Sequence, residues 1–436
     1  METAIEPGDP QRLRTDVFLT FGAKVVVLAL NSVATIVVAR ALGPSGRGVF
    51  YVALGLTLIL SQLGTIGLGV ANAYVAAQAR GTARRLTWIS LLAAAGVGSV
   101  LILAGVAVRE LFPDALPNLS TTEISLALAA VPASLAAVYL QAILLGLGRM
   151  IPYNAVEVVQ ALGTLAGLVI GFELLGFGPA GGLAVMVGGF YFAAGAYAAI
   201  LLVVSPPSAR EEASVGLLRR MVVFSLKTYV ASLSMFLLLR LDTLLVNAYL
   251  GKEQAGYYSA ATAIADALMV LPIVIGLNLL PRVARDGGWK PTAEIFSGVA
   301  LLYGLVCLVS VPLARPGIEL LFGTDFQPAV SLYYWLAPGV FCLGMISILA
   351  HHFAGRGMPL SAVLIWLPGL AVNIGLNVAF LDSQGTYVAS LASSIGYAVV
   401  LMLAVWLFAR EAGSAAPLRP SVSRAVRLVR VALSRG

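Results

Sequence analysis

Long apolar runs, broken at intervals by Gly, Pro and Arg, make up the chain. Twelve of them reach the length of about 20 residues that a helix needs to cross a bilayer. They fall at about 16–42, 48–78, 85–109, 122–147, 152–174, 180–204, 221–250, 255–281, 291–314, 327–353, 359–381 and 386–409. The pattern predicts an all-α, polytopic membrane protein with twelve transmembrane helices, six in each half of the chain.

The halves also resemble each other. Leu42-Gly43 is followed by Gly48, Phe50 and Ala53, and Leu250-Gly251 by Gly256, Tyr258 and Ala261, 208 positions later. Gly148-Arg149 with Pro152, Ala155 and Val156 matches Gly355-Arg356 with Pro359, Ala362 and Val363 at an offset of 207. Two matches at nearly one offset point to duplication of an ancestral half. In each copy of the first motif, Gly permits a tight turn between antiparallel helices and the aromatic suits the lipid interface.

The expected division is a six-helix lobe over 1–205, a cytoplasmic linker over 206–220, a second six-helix lobe over 221–410 and a basic amphipathic tail over 411–436. The linker carries Pro206-Pro207, Arg210-Glu211-Glu212 and Arg219-Arg220, and the tail carries Arg424, Arg427 and Arg430 at spacings of three. A pseudo-twofold along the membrane normal would relate the lobes, the frame in which rocking alternating access operates.

Composition adds the solvent. With 60% hydrophobic and 11% charged residues and a mean hydropathy of +0.95, the surface must face lipid. Charge adds the orientation. Nineteen Lys and Arg fall on one set of alternate loops and termini, against four on the other set, Arg47, Arg109, Lys252 and Arg315. Cations stay inside, so both termini are expected in the cytoplasm of a cell whose inner membrane the protein crosses. The net charge of +7 thus reports topology and contact with membrane lipids. With no basic run interleaved with aromatics, nucleic acid is not an expected partner. Residues 1–11 are acidic and polar and lack the pattern of a cleaved signal peptide, so the first span is expected to be retained.

Ionisable residues inside spans are costly unless they face protein or water. Lys24, Asn31 and Thr35 share one face of the first span, with Arg40 near its outer end. Glu157 shares a stripe with Asn154 and Thr164 in the fifth. Lys227, Arg240 and Asp242 lie in the seventh, and Asp266 continues a stripe from Ser259 and Thr262 in the eighth. Arg240 and Asp242, two apart, point about 200° from each other, so each needs its own partner. An aqueous cavity would explain these positions; snorkelling and interhelical ion pairs are the structural alternatives. Gly96, Gly98 and Gly105 suggest close helix packing, as do Asn373 and Asn377 with their small neighbours. His351-His352 marks a cytoplasmic helix end, as an interfacial pair or a pH-sensitive one.

Catalytic patterns are missing. The chain has no H-E-x-x-H, Walker A or G-x-S-x-G sequence, and Cys307 and Cys342 have no metal-ligand spacing. No enzyme activity, cofactor or metal centre is expected. Uphill work would come from an ion gradient, the membrane potential or a downstream step.

Ala39-Arg40-Ala41-Leu42-Gly43-Pro44 with Gly48 and Phe50, and Arg240-Leu241-Asp242 leading through Leu250-Gly251 to Gly256-Tyr257-Tyr258-Ser259, resemble segments of bacterial polysaccharide (oligosaccharide) flippases. These belong to the multidrug, oligosaccharidyl-lipid and polysaccharide exporter superfamily. The resemblance implies two six-helix lobes in a V and translocation of a polyprenyl-pyrophosphate-linked oligosaccharide to the outer leaflet, for exopolysaccharide or other cell-surface polysaccharide biosynthesis. A polymerase or the export machinery would then be a partner. On that reading Lys24, Asn31, Lys227 and Arg240 bind substrate, while Glu157, Asp242 and Asp266 balance charge or couple H+ or Na+. The alternative is a cation-coupled multidrug exporter in which the carboxylates bind the drug. A membrane-embedded polymerase or ligase on lipid-linked sugars is a third class, disfavoured by external loops of about a dozen residues.

Overall fold

The structure is a computed structural model and describes residues 10–112, 116–205, 215–286 and 288–426. Among the described residues every regular element is a helix. The first half holds α1 (Pro10–Thr65), α2 (Leu68–Gln78), α3 (Ala83–Leu111), α4 (Thr121–Gly146), α5 (Met150–Val169) and α6 (Pro179–Val204). The second holds α7 (Val215–Leu250), α8 (Lys252–Leu268), α9 (Val270–Asp286), α10 (Lys290–Phe322), α11 (Pro328–Gly355), α12 (Leu360–Leu364), α13 (Trp366–Gln384) and α14 (Tyr387–Ala412).

Eleven described segments are long and apolar enough to span a membrane, and the first, Leu19–Thr65, is a 47-residue helix bent at Gly43. At 1.5 Å per residue that is chain enough for two crossings. Each of the twelve predicted runs overlaps one of these segments, though several extend past its bounds; the second run continues beyond Thr65 into α2. Breaks subdivide three of them. Ile66 and Gly67, both at positive φ, separate α1 from α2. Pro272 follows the α8–α9 break at Met269, and Pro368 follows the α12–α13 break at Ile365. A proline ring clashes with the carbonyl four residues back, which places both breaks. The first break keeps its backbone satisfied, because Tyr139 donates its hydroxyl to the Gly64 carbonyl at 2.6 Å.

The loop expected over 315–326 is shorter than predicted. Residues 315–322 continue α10, with Arg315 donating to Glu319 at 3.0 Å one turn on. A 3-10 turn, Thr324–Phe326, completes the connection.

The chain forms two compact units. One comprises Met1–Ala41, Leu56–Pro113 and Leu119–Leu226; the other comprises Leu42–Gly55, Asp114–Asn118 and Lys227–Gly436. Sequence had assigned all of 1–205 to one lobe, whereas residues 42–55, with the first copy of the repeated motif, pack into the unit built by the second half. Within the linker, 206–214 lie outside the described residues, as do Arg427 and Arg430 of the tail.

Each unit is built around its fourth span. α4 packs against α2, α3 and α6, and α11 against α8, α9, α10 and α14; in both, 61% of the apolar window is buried. Ser120 caps α4 in a reciprocal pair with Glu123, which satisfies two backbone donors of the first turn. Gly98 and Gly105 of α3 face Pro132 and Leu128 of α4, as their small size predicts, while Gly96 faces open space.

The motif glycines have a conformational cause. Gly43 adopts φ 63° and ψ −177°, and Gly251 adopts φ 88° and ψ 172°, an extended left-handed region open to glycine alone. Each is followed at once by a helix start, at Pro44 and Lys252. A Cβ at Gly43 meets no atom within 4 Å, and one at Gly251 meets only Asn118 Nδ2 at 3.9 Å, so substitution there tests the backbone alone. Gly251→Ala is expected to cost about 1–3 kcal/mol, read as a lowered unfolding temperature in detergent. Unchanged stability would show that the turn relaxes.

Candidate functional site

Two ion pairs lie inside the described spans, each within one unit. In the first, Lys24 Nζ on α1 meets Glu157 Oε1 at 2.8 Å and Oε2 at 2.5 Å on α5. The ammonium also stands 5.0 Å from the Tyr153 ring centre, one turn from Glu157. Beside them Asn154 donates to Thr20 at 2.9 Å and to the Met150 carbonyl at 2.8 Å. The Lys24 side chain keeps 43% of its surface uncovered by protein and that of Glu157 keeps 25%. Asn31 is exposed on α1.

The second unit has a pair of the same kind. Arg240 Nη2 on α7 bonds Asp266 Oδ2 on α8 at 3.0 Å, with side-chain exposures of 39% and 50%. Lys227 lies on the α7 backbone, and its side chain is outside the described residues.

Asp242, two residues after Arg240, turns to a different environment. It is 1% exposed, and its partners are neutral. Oδ1 accepts from Asn377 Nδ2 at 3.0 Å; Oδ2 accepts from Tyr258 Oη at 2.9 Å, from Asn373 Nδ2 at 3.3 Å and from the Ser393 hydroxyl. The two amides leave Asn373 Oδ1 and Asn377 Oδ1 buried without a hydrogen bond. The Ser390 hydroxyl, one turn from Ser393, is in the same condition. A carboxylate among carbonyl and hydroxyl oxygens on three helices has the donor chemistry of a site for a hard monovalent cation.

Sequence reasoning missed half of this group. Asn373 and Asn377 look like packing residues because they are neutral, yet their spacing of four puts both on one face of α13, the face that meets Asp242. The histidine pair also needs correction. His352 is buried rather than interfacial, with Nδ1 2.8 Å from Thr292 and Nε2 3.2 Å from Glu411, and Arg356 joins the same carboxylate at 3.0 Å. Finally Arg47, counted with the external loop cations, is 0% exposed.

The two kinds of carboxylate should differ in stability cost. Asp242→Ala strands four buried donors and is expected to cost about 2–4 kcal/mol. Asp266→Ala opens a half-exposed pair and should cost under about 1 kcal/mol. Chemical unfolding of the purified protein in micelles checks both; equal losses would count against the distinction.

Comparison with known proteins agrees with this architecture. A family model described as polysaccharide biosynthesis protein matches residues 13–285. No curated protein matches in sequence. Among solved structures, the lipid II flippase MurJ in an inward closed conformation is 14% identical, with a TM-score of 0.63 over 90% of this chain and 87% of that one. An inward-facing multidrug resistance MATE family transporter of the MOP superfamily is 16% identical, with a TM-score of 0.67 over 89% and 95%. A MOP superfamily transporter from Pyrococcus furiosus, described with a reversed polarity of its binding pocket, is 16% identical, with a TM-score of 0.58 over 92% and 94%. At such identities the likeness is one of fold. The matched family segment includes both copies of the repeated motif, Lys24, Glu157, Arg240, Asp242 and Asp266. This multi-pass membrane chain therefore has the fold of MOP-superfamily flippases and transporters and belongs to the polysaccharide biosynthesis protein family.

Proposed function

We propose that the chain is a flippase that carries a polyprenyl-pyrophosphate-linked oligosaccharide from the inner to the outer leaflet of the cytoplasmic membrane by alternating access. The observation that carries this reading is the state of the cations. Lys24 and Arg240 each sit mid-span in a pair that leaves about two-fifths of the side chain accessible, 43% and 39%. A pyrophosphate can displace Glu157 or Asp266, because phosphate oxygens make charge-assisted hydrogen bonds at least as strong as those of a carboxylate. The resident carboxylate holds the cation in place until substrate arrives. Asn31 and the residues near Asn154 supply polar groups for sugar hydroxyls.

The same pairs weigh against a multidrug exporter. A cationic drug needs an open carboxylate, but Glu157 and Asp266 are already neutralised by Lys24 and Arg240. Asp242 lacks a cationic partner among the described ion pairs, yet its burial admits only a small ion. We therefore assign it to coupling, by H+ or Na+. With Na+ bound, an Asn373 or Asn377 amide would turn its carbonyl oxygen toward the ion. With a proton, the present amide orientation would persist.

Purified protein in liposomes carrying a fluorescent polyprenyl-pyrophosphate oligosaccharide in one leaflet tests the reading. Transfer to the other leaflet is expected, faster under an ion gradient, and Arg240→Ala should reduce it at least tenfold without loss of folded protein. Asp242→Asn should transfer substrate at a rate indifferent to the gradient. No transfer, with efflux of a cationic dye from the same liposomes, would replace this reading with the drug exporter.

A further inference from the structure

The two copies of the repeated motif meet each other. A Cβ on Gly48 would stand 1.7 Å from the Lys252 carbonyl oxygen, and a Cβ on Gly256 would stand 1.9 Å from the Pro44 carbonyl oxygen. Pro44 and Lys252 are equivalent positions, each four residues before its glycine. The second segment of α1 and the start of α8 thus cross backbone to backbone, each glycine receiving the other helix's first turn.

One side chain breaks this symmetry. Arg47 is wholly buried, with Nε donating to Ser259 Oγ at 2.9 Å and Nη2 donating to the Ser259 carbonyl at 3.1 Å. Its guanidinium lies 4.6 Å from the Tyr51 ring centre, 4.8 Å from that of Phe322 and 5.8 Å from that of Phe326. The equivalent of Arg47 in the second copy is Ala255, and the equivalent of Ser259 in the first is Tyr51. The duplicated crossing is therefore fastened by a cation on one side only.

We infer that the Gly48–Gly256 crossing, with Arg47 as its bolt, is a latch that holds the motif ends of α1 and α8 together and must part for the protein to open outward. The outward assignment of these ends rests on the charge-derived topology of the proposed function. The glycines let the two backbones meet directly, so any added side chain at Gly48 or Gly256 would hold the ends apart. A buried guanidinium suits a contact that separates. Its gain from aromatic faces and hydrogen bonds, those to Ser259 among them, is opposed by lost hydration, and leaving restores the water. Among the described residues this end also carries bonds from Asn247 to the Pro117 carbonyl at 2.8 Å and from Thr386 to Gln254 at 2.7 Å.

Accessibility tests the latch without any substrate, so its outcome is independent of what is transported. In a background lacking Cys307 and Cys342, a reporter Thr262→Cys, one turn beyond Ser259, is labelled from outside sealed cells with a membrane-impermeant thiol reagent. Arg47→Ala and, separately, Gly48→Ala are expected to speed labelling at least tenfold. Arg47→Cys with Ser259→Cys, which lacks the bolt, should label fast, slow at least tenfold when a short bis-thiosulfonate bridges the pair, and recover on reduction. Because the bridge is reversible in one sample, misfolding cannot imitate it. Labelling unchanged by Arg47→Ala and by the bridge would overturn the latch.

Discussion

A charge in a membrane-spanning helix loses most of its hydration, and the protein has to replace that loss from its own groups. The described spans do so in three ways, and each outcome suits a different task. Lys24 and Arg240 take a carboxylate and stay partly uncovered by protein. Asp242 takes four neutral donors and is sealed, so only a small ion can change its state. Arg47 takes a hydroxyl, a carbonyl and aromatic faces among its partners and is wholly buried. On the proposed reading, partner chemistry, more than the identity of the charged residue, is what would separate recognition from coupling and from closure.

Helical breaks fit the same constraint. Freed carbonyls inside lipid must be satisfied, and at the α1–α2 break the Tyr139 hydroxyl does this for Gly64. The break is thereby stabilised as a defined bend. A corresponding early span of the second half is interrupted at Met269 by a different device, the ring of Pro272. Two unlike causes at comparable places in a duplicated chain suggest that the bend itself, rather than any residue, is what both halves require.

Much of the fold was legible because its signals are local. Run length gives the spans, and the repeated Leu-Gly turns mark the duplication because only glycine tolerates the backbone of Gly43 and Gly251. Pairing was less legible. Spacing places Lys24, Asn31 and Thr35 on one face, but nothing in the sequence names Glu157, 133 positions away, as the partner. Asn373 and Asn377 were read as packing because a neutral amide looks the same in a packing face as in an ion site. Arg47 was read as a loop cation because its helix begins at Pro44, directly after the break, where hydropathy counts blur. The assignment of 42–55 to the second unit was hidden for the same reason: it depends on what Gly48 touches, not on where it lies in the chain.

The crossing of Gly48 and Gly256 has the form that subunits of a twofold oligomer use, in which one surface patch meets a copy of itself. A half-length ancestor with a single Leu-Gly motif would already have owned that patch and could have worked as a homodimer before its gene was joined end to end. Fusion then released the two copies from identity. Arginine could settle at one site while alanine occupied the other, a division of labour that a true homodimer, forced to carry the same residue twice, could never adopt.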